Sequence, residues 1–366
     1  MKVLCNREQL REGLAIVNGV IPTKSTRPAI ENVCLVATEN ALELVGTDLE
    51  IAIRYRIDDV KVADTGTVLI PARVAAEFVR DLTEETVSID SGSDNCLITS
   101  GGDRVELVTV EPDEFPVVAR FQEERSFPLL AETFDKQIHR TSFAAAREPG
   151  RYAMHGILIE VEEGRLRMVA TDGRRLAVTS TVLDCPDDAG HRAIVPTKGL
   201  QMFSRILGDP MARVRIAFEE TQFCLKTDQA EIFARLIDGE FPKYSQVVPD
   251  EGSCKIEADA AVLINKLRLT STVTSADARA VKLLFTEDHL EIQAKATGRG
   301  RATGQMEASY QGSDVDIAFN PDFLIDGLKQ CESDRVHLEF NDRTSPGKFM
   351  LGQDYTYVVM PITIDT

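Results

Sequence analysis

The sequence predicts an α+β protein made of three similar domains, each with two helices packed on antiparallel sheet. Three observations predict it. One pattern occurs three times: VLIPARVAAEFVR at 68–80, AIVPTKGLQMFSR at 193–205 and DIAFNPDFLIDGLK at 316–329. Each is a short apolar run, a helix-starting turn and a helix with apolar residues at helical spacing. The starts lie roughly 125 residues apart, the size of a small domain. Between them, short alternating apolar and polar runs are separated by tight polar turns, as in antiparallel hairpins.

The first domain, 1–124, opens with the strand KVLC and with Asn6 as N-cap of a helix reaching about Asn18. Strands follow at 32–37, 42–46 and 50–57, then the first copy of the repeated pattern, then strands at 86–90, 96–100 and 105–110. DEFP at 113–116 closes it. The second domain, 125–249, has a helix at 131–145, a hairpin of GILIEV and RLRMVA, and the segment TDGRRLAVTSTVL at 171–183. The second copy and the strands RVRIAF, QFCLKT and AEIFARLI follow, and GEFP at 239–242 echoes DEFP. The third, 250–366, has a helix at 260–273, the strands VKLLF, LEIQAKA and ATGQMEASY, the third copy, and RVHLEF, KFMLG and TYVVMPI. TDGRRLA and YVVMPI have no equally good copy in the other repeats. The joins near 122–126 and 249–252 are short and polar. Two arrangements stay open: three independent beads, or edge strands of one domain pairing with the next. Head-to-tail contacts of the second kind close into a ring or run on as a filament.

Apolar content of 43% and charged content of 27% are ordinary for a globular protein. No apolar stretch is long enough to span a bilayer, and the start MKVLCNREQLREGL lacks a secretory signal, so a cytoplasmic chain is expected. Cysteines at 5, 34, 96, 185, 224, 254 and 331 form no CxxC pair and read as reduced, mostly buried thiols. The histidines are equally dispersed, so no metal site is expected.

A net charge of −18 argues against a surface that is basic throughout. Yet basic residues recur on the helices: Arg7 and Arg11, Arg73 and Arg80, Lys136 and Arg140, Lys198 and Arg205, Lys266 and Arg268, and Lys329. Acidic residues gather in turns and strand ends such as 58–59, 84–85, 187–188 and 219–220. A basic helical face on an acidic body would attract a polyanion to that face alone. Catalytic signatures are missing: there is no GxxxxGK[ST] loop and no GxSxG. GRGRATG at 298–304 reads as a turn between strands, and Asp314 with Asp316 as an exposed edge. YVVMPI is either a core strand or one wall of a groove for a short peptide, which Met360 would suit.

TDLE (47–50), PAR (71–73), DEFP (113–116), ATDGRRLAV (170–178), VPTKG (195–199), DGEFPKY (238–244) and YVVMP (357–361) stand in the order and spacing of one family. The chain resembles the bacterial sliding clamps, the beta subunits of DNA polymerase III, over its whole length. The resemblance implies a ring of clamp-type domains formed by a head-to-tail homodimer, with helices lining a hole that duplex DNA passes through. It implies no catalytic activity, cofactor, metal or membrane association. The partners it implies are sequence-independent double-stranded DNA, the polymerase III catalytic subunit, the clamp loader, and other polymerases and repair proteins carrying short apolar peptide motifs.

By family position, the DNA-facing residues are Lys24, Arg27, Arg73, Arg80, Arg147, Arg151, Tyr152 and Lys198. The partner groove maps onto Met154, Thr171, Gly173, Arg174, Arg175, Leu176, Pro242, Val247, Val358, Val359, Met360 and Pro361, with Arg175 orienting the peptide's polar end. Gln246 and the end MPITIDT depart from some relatives. The dimer contact falls on Arg104, Glu106 and Val108 of one copy against Thr272 and Val273 of the other. These residues are less apolar than in some relatives, so a readily opened dimer is expected. The alternative from another class is a catalytic or ligand-binding repeat protein with an unfamiliar pocket.

Overall fold

The computed structural model describes residues 1–148, 150, 152–183, 190–275, 279–313 and 315–363. Its first third runs β1 (Lys2–Asn6), α1 (Arg7–Asn18), β2 (Asn32–Ala37), β3 (Leu42–Thr47), β4 (Ile51–Ile57), β5 (Lys61–Asp64), β6 (Gly66–Pro71), α2 (Ala72–Asp81), β7 (Thr86–Ser91), β8 (Asn95–Ser100) and β9 (Asp103–Val108). The middle third runs β10 (Ser126–Leu130), α3 (Ala131–Ser142), β11 (Gly156–Glu162), β12 (Arg165–Thr171), β13 (Arg175–Val182), β14 (His191–Pro196), α4 (Thr197–Ile206), β15 (Arg213–Phe218), β16 (Gln222–Lys226) and β17 (Ala230–Arg235). The last third runs β18 (Cys254–Asp259), α5 (Ala260–Ser271), β19 (Val281–Phe285), β20 (His289–Ala296), β21 (Gly300–Gln311), β22 (Asp316–Phe319), α6 (Pro321–Leu328), β23 (Arg335–Phe340), β24 (Gly347–Gly352) and β25 (Tyr355–Val359).

Local chemistry accounts for the helix ends. Asn6 caps α1, its Oδ1 accepting from Glu8 N (2.8 Å) and Gln9 N (3.2 Å). Asp259 caps α5 through Val262 N, and Asn320 caps α6 ahead of Pro321 at its first position. α3 and α5 stop short of residues 145 and 273. The Thr141 and Thr270 hydroxyls each donate to the carbonyl four residues back (2.8 Å), the back-bonding that weakens a last turn. Three strands lie outside those placed from sequence: β5, a short exposed edge, and β10 and β18, which run directly into α3 and α5. GRGRATG is only half turn, because β21 begins at Gly300; Gly304 lies against α5, where an added Cβ would come 3.2 Å from Thr270.

The chain forms two compact units, residues 1–135 with 198–236, and residues 136–197 with 237–366. The first holds a sheet of order β5-β1-β7-β8-β9 and a sheet of order β10-β15-β16-β17-β4-β3-β2-β6. The second holds one sheet of order β14-β11-β12-β13-β25-β24-β23-β18-β21-β20-β19-β22. Two pairings decide between the arrangements left open above. β17 of the middle third pairs antiparallel with β4 of the first, Ile232 opposite Ile53. β25 of the last third pairs antiparallel with β13 of the middle, Val359 opposite Arg175. The thirds are thus joined by shared sheet and are not separate beads.

Each unit has a core, and register makes the two cores counterparts. Cys34 faces Val45 and Leu69 in the first as Leu158 faces Val169 and Ile194 in the second. Cys5, Cys34, Cys96, Cys224 and Cys254 are buried free thiols and Cys331 is half-buried; Cys185 lies outside the described residues. Burial pushes the Cys5 thiol up to about 12 and those of Cys34 and Cys96 up to about 11.

Candidate functional site

The second unit builds a groove on the turn between β12 and β13. Thr171 and Asp172 fold that turn. Thr171 Oγ1 donates to Arg175 O (2.7 Å) and accepts from Gly173 N (3.1 Å). Asp172 Oδ1 accepts from Arg174 N (3.0 Å) and Arg175 N (3.1 Å). Gly173 sits at φ 84°, the left-handed region that glycine enters without steric cost. β25 lies alongside, Leu176 opposite Val358, and Met360 N donates to Arg174 O (2.8 Å) just past the strand end. Two segments about 180 residues apart in sequence are thereby made adjacent by one sheet pairing.

The resulting groove encloses about 270 Å³ and is lined by Tyr152, Met154, Thr171, Gly173, Arg174, Arg175, Leu176, Pro242, Tyr244, Val247, Val358 and Met360. Leu176 and Val358 form a buried floor continuous with the core of Ala153, Leu158, Val169, Ile194 and Phe241. Val247 and Met360 are exposed at the rim, 45% and 39%. Tyr244 stands in a short 3₁₀ turn, Tyr244–Gln246, with Gln246 exposed beside it. The Tyr244 hydroxyl donates to Glu160 Oε2 (2.8 Å) and accepts from Arg167 Nη1 (3.4 Å). Burial, reinforced by the Glu160 hydrogen bond, raises the Tyr244 pKa, so it stays a neutral wall.

Of the expected groove residues, two stand apart. Val359 is fully buried: successive strand residues face opposite sides, so Val358 takes the groove and Val359 the far side. Pro361 follows the rim and is half-buried without lining the groove. Tyr244 was not anticipated, although DGEFPKY carried it. Tyr152, expected on the DNA face, lines the groove. Arg175 also takes a different part. Its Nε bonds Asp172 Oδ2 (3.0 Å), Nη1 bonds Asp326 Oδ2 (2.8 Å) and Nη2 donates to Phe143 O (2.7 Å). The guanidinium also lies 4.5 Å over the Phe323 ring. Burial opposes this charge, but the Asp326 hydrogen bond and the Asp172 charge help to outweigh burial and raise the pKa. With these hydrogens engaged inside the protein, Arg175 holds the turn, and exposed Arg174 is the cation presented at the groove.

The basic residues divide. In the first unit Lys24 and Arg27 are exposed on the loop after α1, and exposed Arg73 lines a depression of about 390 Å³ with Pro22, Thr23, Pro28 and Glu31. Arg80 is exposed but paired to Asp81 (2.9 Å), and Lys198 is exposed and paired to Asp48. In the second unit Arg147 is exposed; Arg151 lies outside the described residues. Arg140 departs from the basic-face reading. It is 5% exposed, bonded to Glu332 beside Lys136, with its guanidinium 5.0 Å over the Tyr355 ring. Asp316 pairs with Lys282 (2.6 Å); its expected companion Asp314 and the acidic pair at 187–188 lie outside the described residues, as does Asp365 in the terminal MPITIDT.

β9 is the outer strand of its sheet, with Arg104 and Glu106 exposed and Val108 74% exposed. Thr272 is exposed and Val273 half-buried just after α5, and Leu269 on the same helix is 54% exposed.

Three family models match the chain in order: DNA polymerase III beta subunit, N-terminal domain at residues 1–119, central domain at 129–243 and C-terminal domain at 245–363. The chain is 30% identical over 367 residues to the beta sliding clamp of Pseudomonas putida, covering 100% of both. It is 31% identical over 369 residues to that of Proteus mirabilis, again covering 100% of both. Its fold is similar to the crystal structure of the DNA polymerase III subunit beta from Pseudomonas aeruginosa, with a TM-score of 0.95, 30% identity and 100% of each chain covered.

Proposed function

The chain belongs to the family of DNA polymerase III beta subunits, the beta sliding clamps, and on that premise we propose how its own residues carry the work. It is a non-catalytic processivity factor of three clamp domains whose helices pack on antiparallel sheets, and as a homodimer it encircles DNA in partnership with the polymerase. Beyond this we infer domain limits of 1–124, 125–249 and 250–366 and a place in the cytoplasm.

The groove is the partner site, and one observation carries this reading. It is an apolar slot with a buried Leu176–Val358 floor, flexible Met360 at its rim and, among the described residues, a single exposed guanidinium, Arg174. Such a slot suits short apolar peptides of varied sequence. Its clients are the polymerase catalytic subunit, the clamp loader, other polymerases and repair proteins. Lys24, Arg27, Arg73, Arg80, Arg147, Arg151 and Lys198 face DNA, and Tyr152 serves the groove. Contacts from such residues to phosphates are blind to sequence, so retention comes from topology and sliding stays free. The charge of −18 discourages DNA from the rest of the surface.

The dimer reading gains a strand. Within the chain β4 receives β17 and β13 receives β25. In the last third the corresponding position belongs to β21, whose residues 300–307 pair with β20 on one side. We infer that the same join, repeated between copies, sets β9 against β21, with Thr272 and Val273 beside it.

Two measurements test this. Loaded protein should stay on a nicked circular duplex and leave once the circle is cut; equal retention on both forms would sink the encircling reading for this chain. Met360→Ala combined with Pro361→Ala should weaken partner-peptide binding about tenfold or more; unchanged binding removes the groove assignment.

A further inference from the structure

The turn at the groove has a twin in the first unit. Thr47 Oγ1 donates to Ile51 O (2.8 Å) and accepts from Leu49 N (2.9 Å), while Asp48 Oδ1 accepts from Glu50 N (3.0 Å) and Ile51 N (2.7 Å). Leu49 adopts φ 77° where the groove turn has Gly173 at 84°. Arg235 N donates to Glu50 O (2.8 Å) as Met360 N donates to Arg174 O. Register then sets Ala52 where the groove has Leu176, and Phe233 where it has Val358.

The frame that is open in the second unit is closed in the first, and the chain itself closes it. Val118 and Phe121, each 9% exposed, are buried in one cluster with Phe233, Cys224 and Ala217, and Ala52 packs against it. Residues 116–122 are neither helix nor strand, and side chains hold them. Arg54 donates to Val118 O (2.6 Å) and Ala119 O (2.9 Å). Glu43, 5% exposed, accepts from both terminal guanidinium nitrogens of Arg120 (3.0 and 2.9 Å) and from Arg54 Nη1 (3.3 Å). Glu231 Oε2 accepts from Phe121 N (3.2 Å), and Val117 is 99% exposed. Two buried apolar anchors, an outward-facing neighbour and carbonyls read by an arginine are the features of a docked peptide.

The second unit differs where the strap would lie. By register, Glu339 and Lys348 replace Ala217 and Cys224. They pair with each other (3.1 Å), and Lys348 Nζ donates to Pro249 O (3.3 Å) and Asp250 O (3.0 Å). An ion pair therefore holds the following segment there, and its Tyr244 and Val247 stand as walls of a groove instead of filling it.

We propose that residues 117–122 are a strap occupying, in cis, a second peptide site built on the groove's frame, with the Glu43–Arg120 pair as its latch. That the frame is a peptide site rests on the groove reading above; the strap and latch stand on the first unit alone. Freed, the strap uncovers an apolar surface around Phe233 and Cys224 able to take a segment of the same pattern, apolar and aromatic three residues apart.

The test uses the full chain with Arg120→Ala, which leaves the Glu43 carboxylate its Arg54 partner, and with Glu43→Gln as a second latch variant. By hydrogen exchange, amides 117–122 should exchange about tenfold faster in Arg120→Ala, while those of the second unit keep their wild-type rates. A fluorescent peptide of residues 116–125 of this chain should bind the variant saturably and leave the wild type unbound. Unchanged exchange overturns the latch. Faster exchange without peptide uptake overturns the site. Uptake equal in wild type and lost in Met360→Ala overturns the inference while upholding the groove, and a failure of the groove leaves the exchange result standing as evidence on the strap.

Discussion

Arg175 shows how a charged residue can belong to the frame of an apolar groove. Its side chain is 11% exposed and ties the turn to Asp326 and Asp172. Arg175→Met should therefore cost roughly 2 kcal/mol of stability, because it removes charge-assisted hydrogen bonds to two half-buried carboxylates, and should weaken peptide binding by loosening the turn; denaturant unfolding and peptide titration together measure both. Glu332 gives a pH dependence. The Lys136 hydrogen bond and the Arg140 charge hold its carboxyl below the ordinary glutamate value of 4.5. A lowered folded pKa means the contribution is full above that value and is lost as pH falls through the folded pKa. The difference in melting temperature between wild type and Glu332→Gln should thus shrink between pH 5 and pH 3, and a constant difference would refute the pairing. The thiols give a third expectation: at pH 8 an alkylating reagent should modify half-buried Cys331 while sparing Cys5, Cys34 and Cys96, whose pKa values burial has raised. Burial of the thiols was legible in sequence, whereas the environments of Arg175 and Glu332 were not. Arg140, Arg175 and Glu332 look like surface charges until a distant strand covers them.

At the scale of elements, what could be read was what neighbours along the chain decide. Asn6 as cap, the hairpins and the apolar face of α1 (Leu10, Leu14, Val17) depend on residues within a few positions. The TDGRRLA turn was singled out, but its likeness to TDLEIA was missed because Leu49 stands where glycine would signal a left-handed residue. The hydrogen bonds of Thr47 and Asp48 make the likeness plain. The twin turn shows that a side chain can be held at this position, since Leu49 adopts φ 77°: with φ 84° and nothing within 4 Å of an added Cβ, Gly173→Ala meets backbone strain and no clash. It should cost about 1 kcal/mol and leave partner-peptide affinity nearly unchanged. A large affinity loss would mean that the groove needs the glycine itself.

At the scale of the molecule, three repeats of one pattern are joined by strand pairs, and the joins differ in what they leave exposed. The join of β4 and β17 is covered by the chain's own strap; the join of β13 and β25 is open as a groove. We infer that the join between copies falls on β9, where Arg104 and Glu106 are exposed beside Val108. So polar an edge predicts a dimer that dissociates on dilution. Sedimentation across a dilution series would show it, and a dimer persisting to about picomolar concentration would contradict it. The sequence by itself determined the threefold repetition, the α+β class, the helix and hairpin positions, and, through its motifs, the family. These rest on local periodicity and on ordered motifs, which a linear chain displays directly. The tertiary structure alone decided which strands join the repeats, which cations are spent on internal carboxylates, and which of two equivalent frames is filled. Those outcomes depend on residues tens to nearly two hundred positions apart, brought together by sheet pairing and burial that no local pattern encodes.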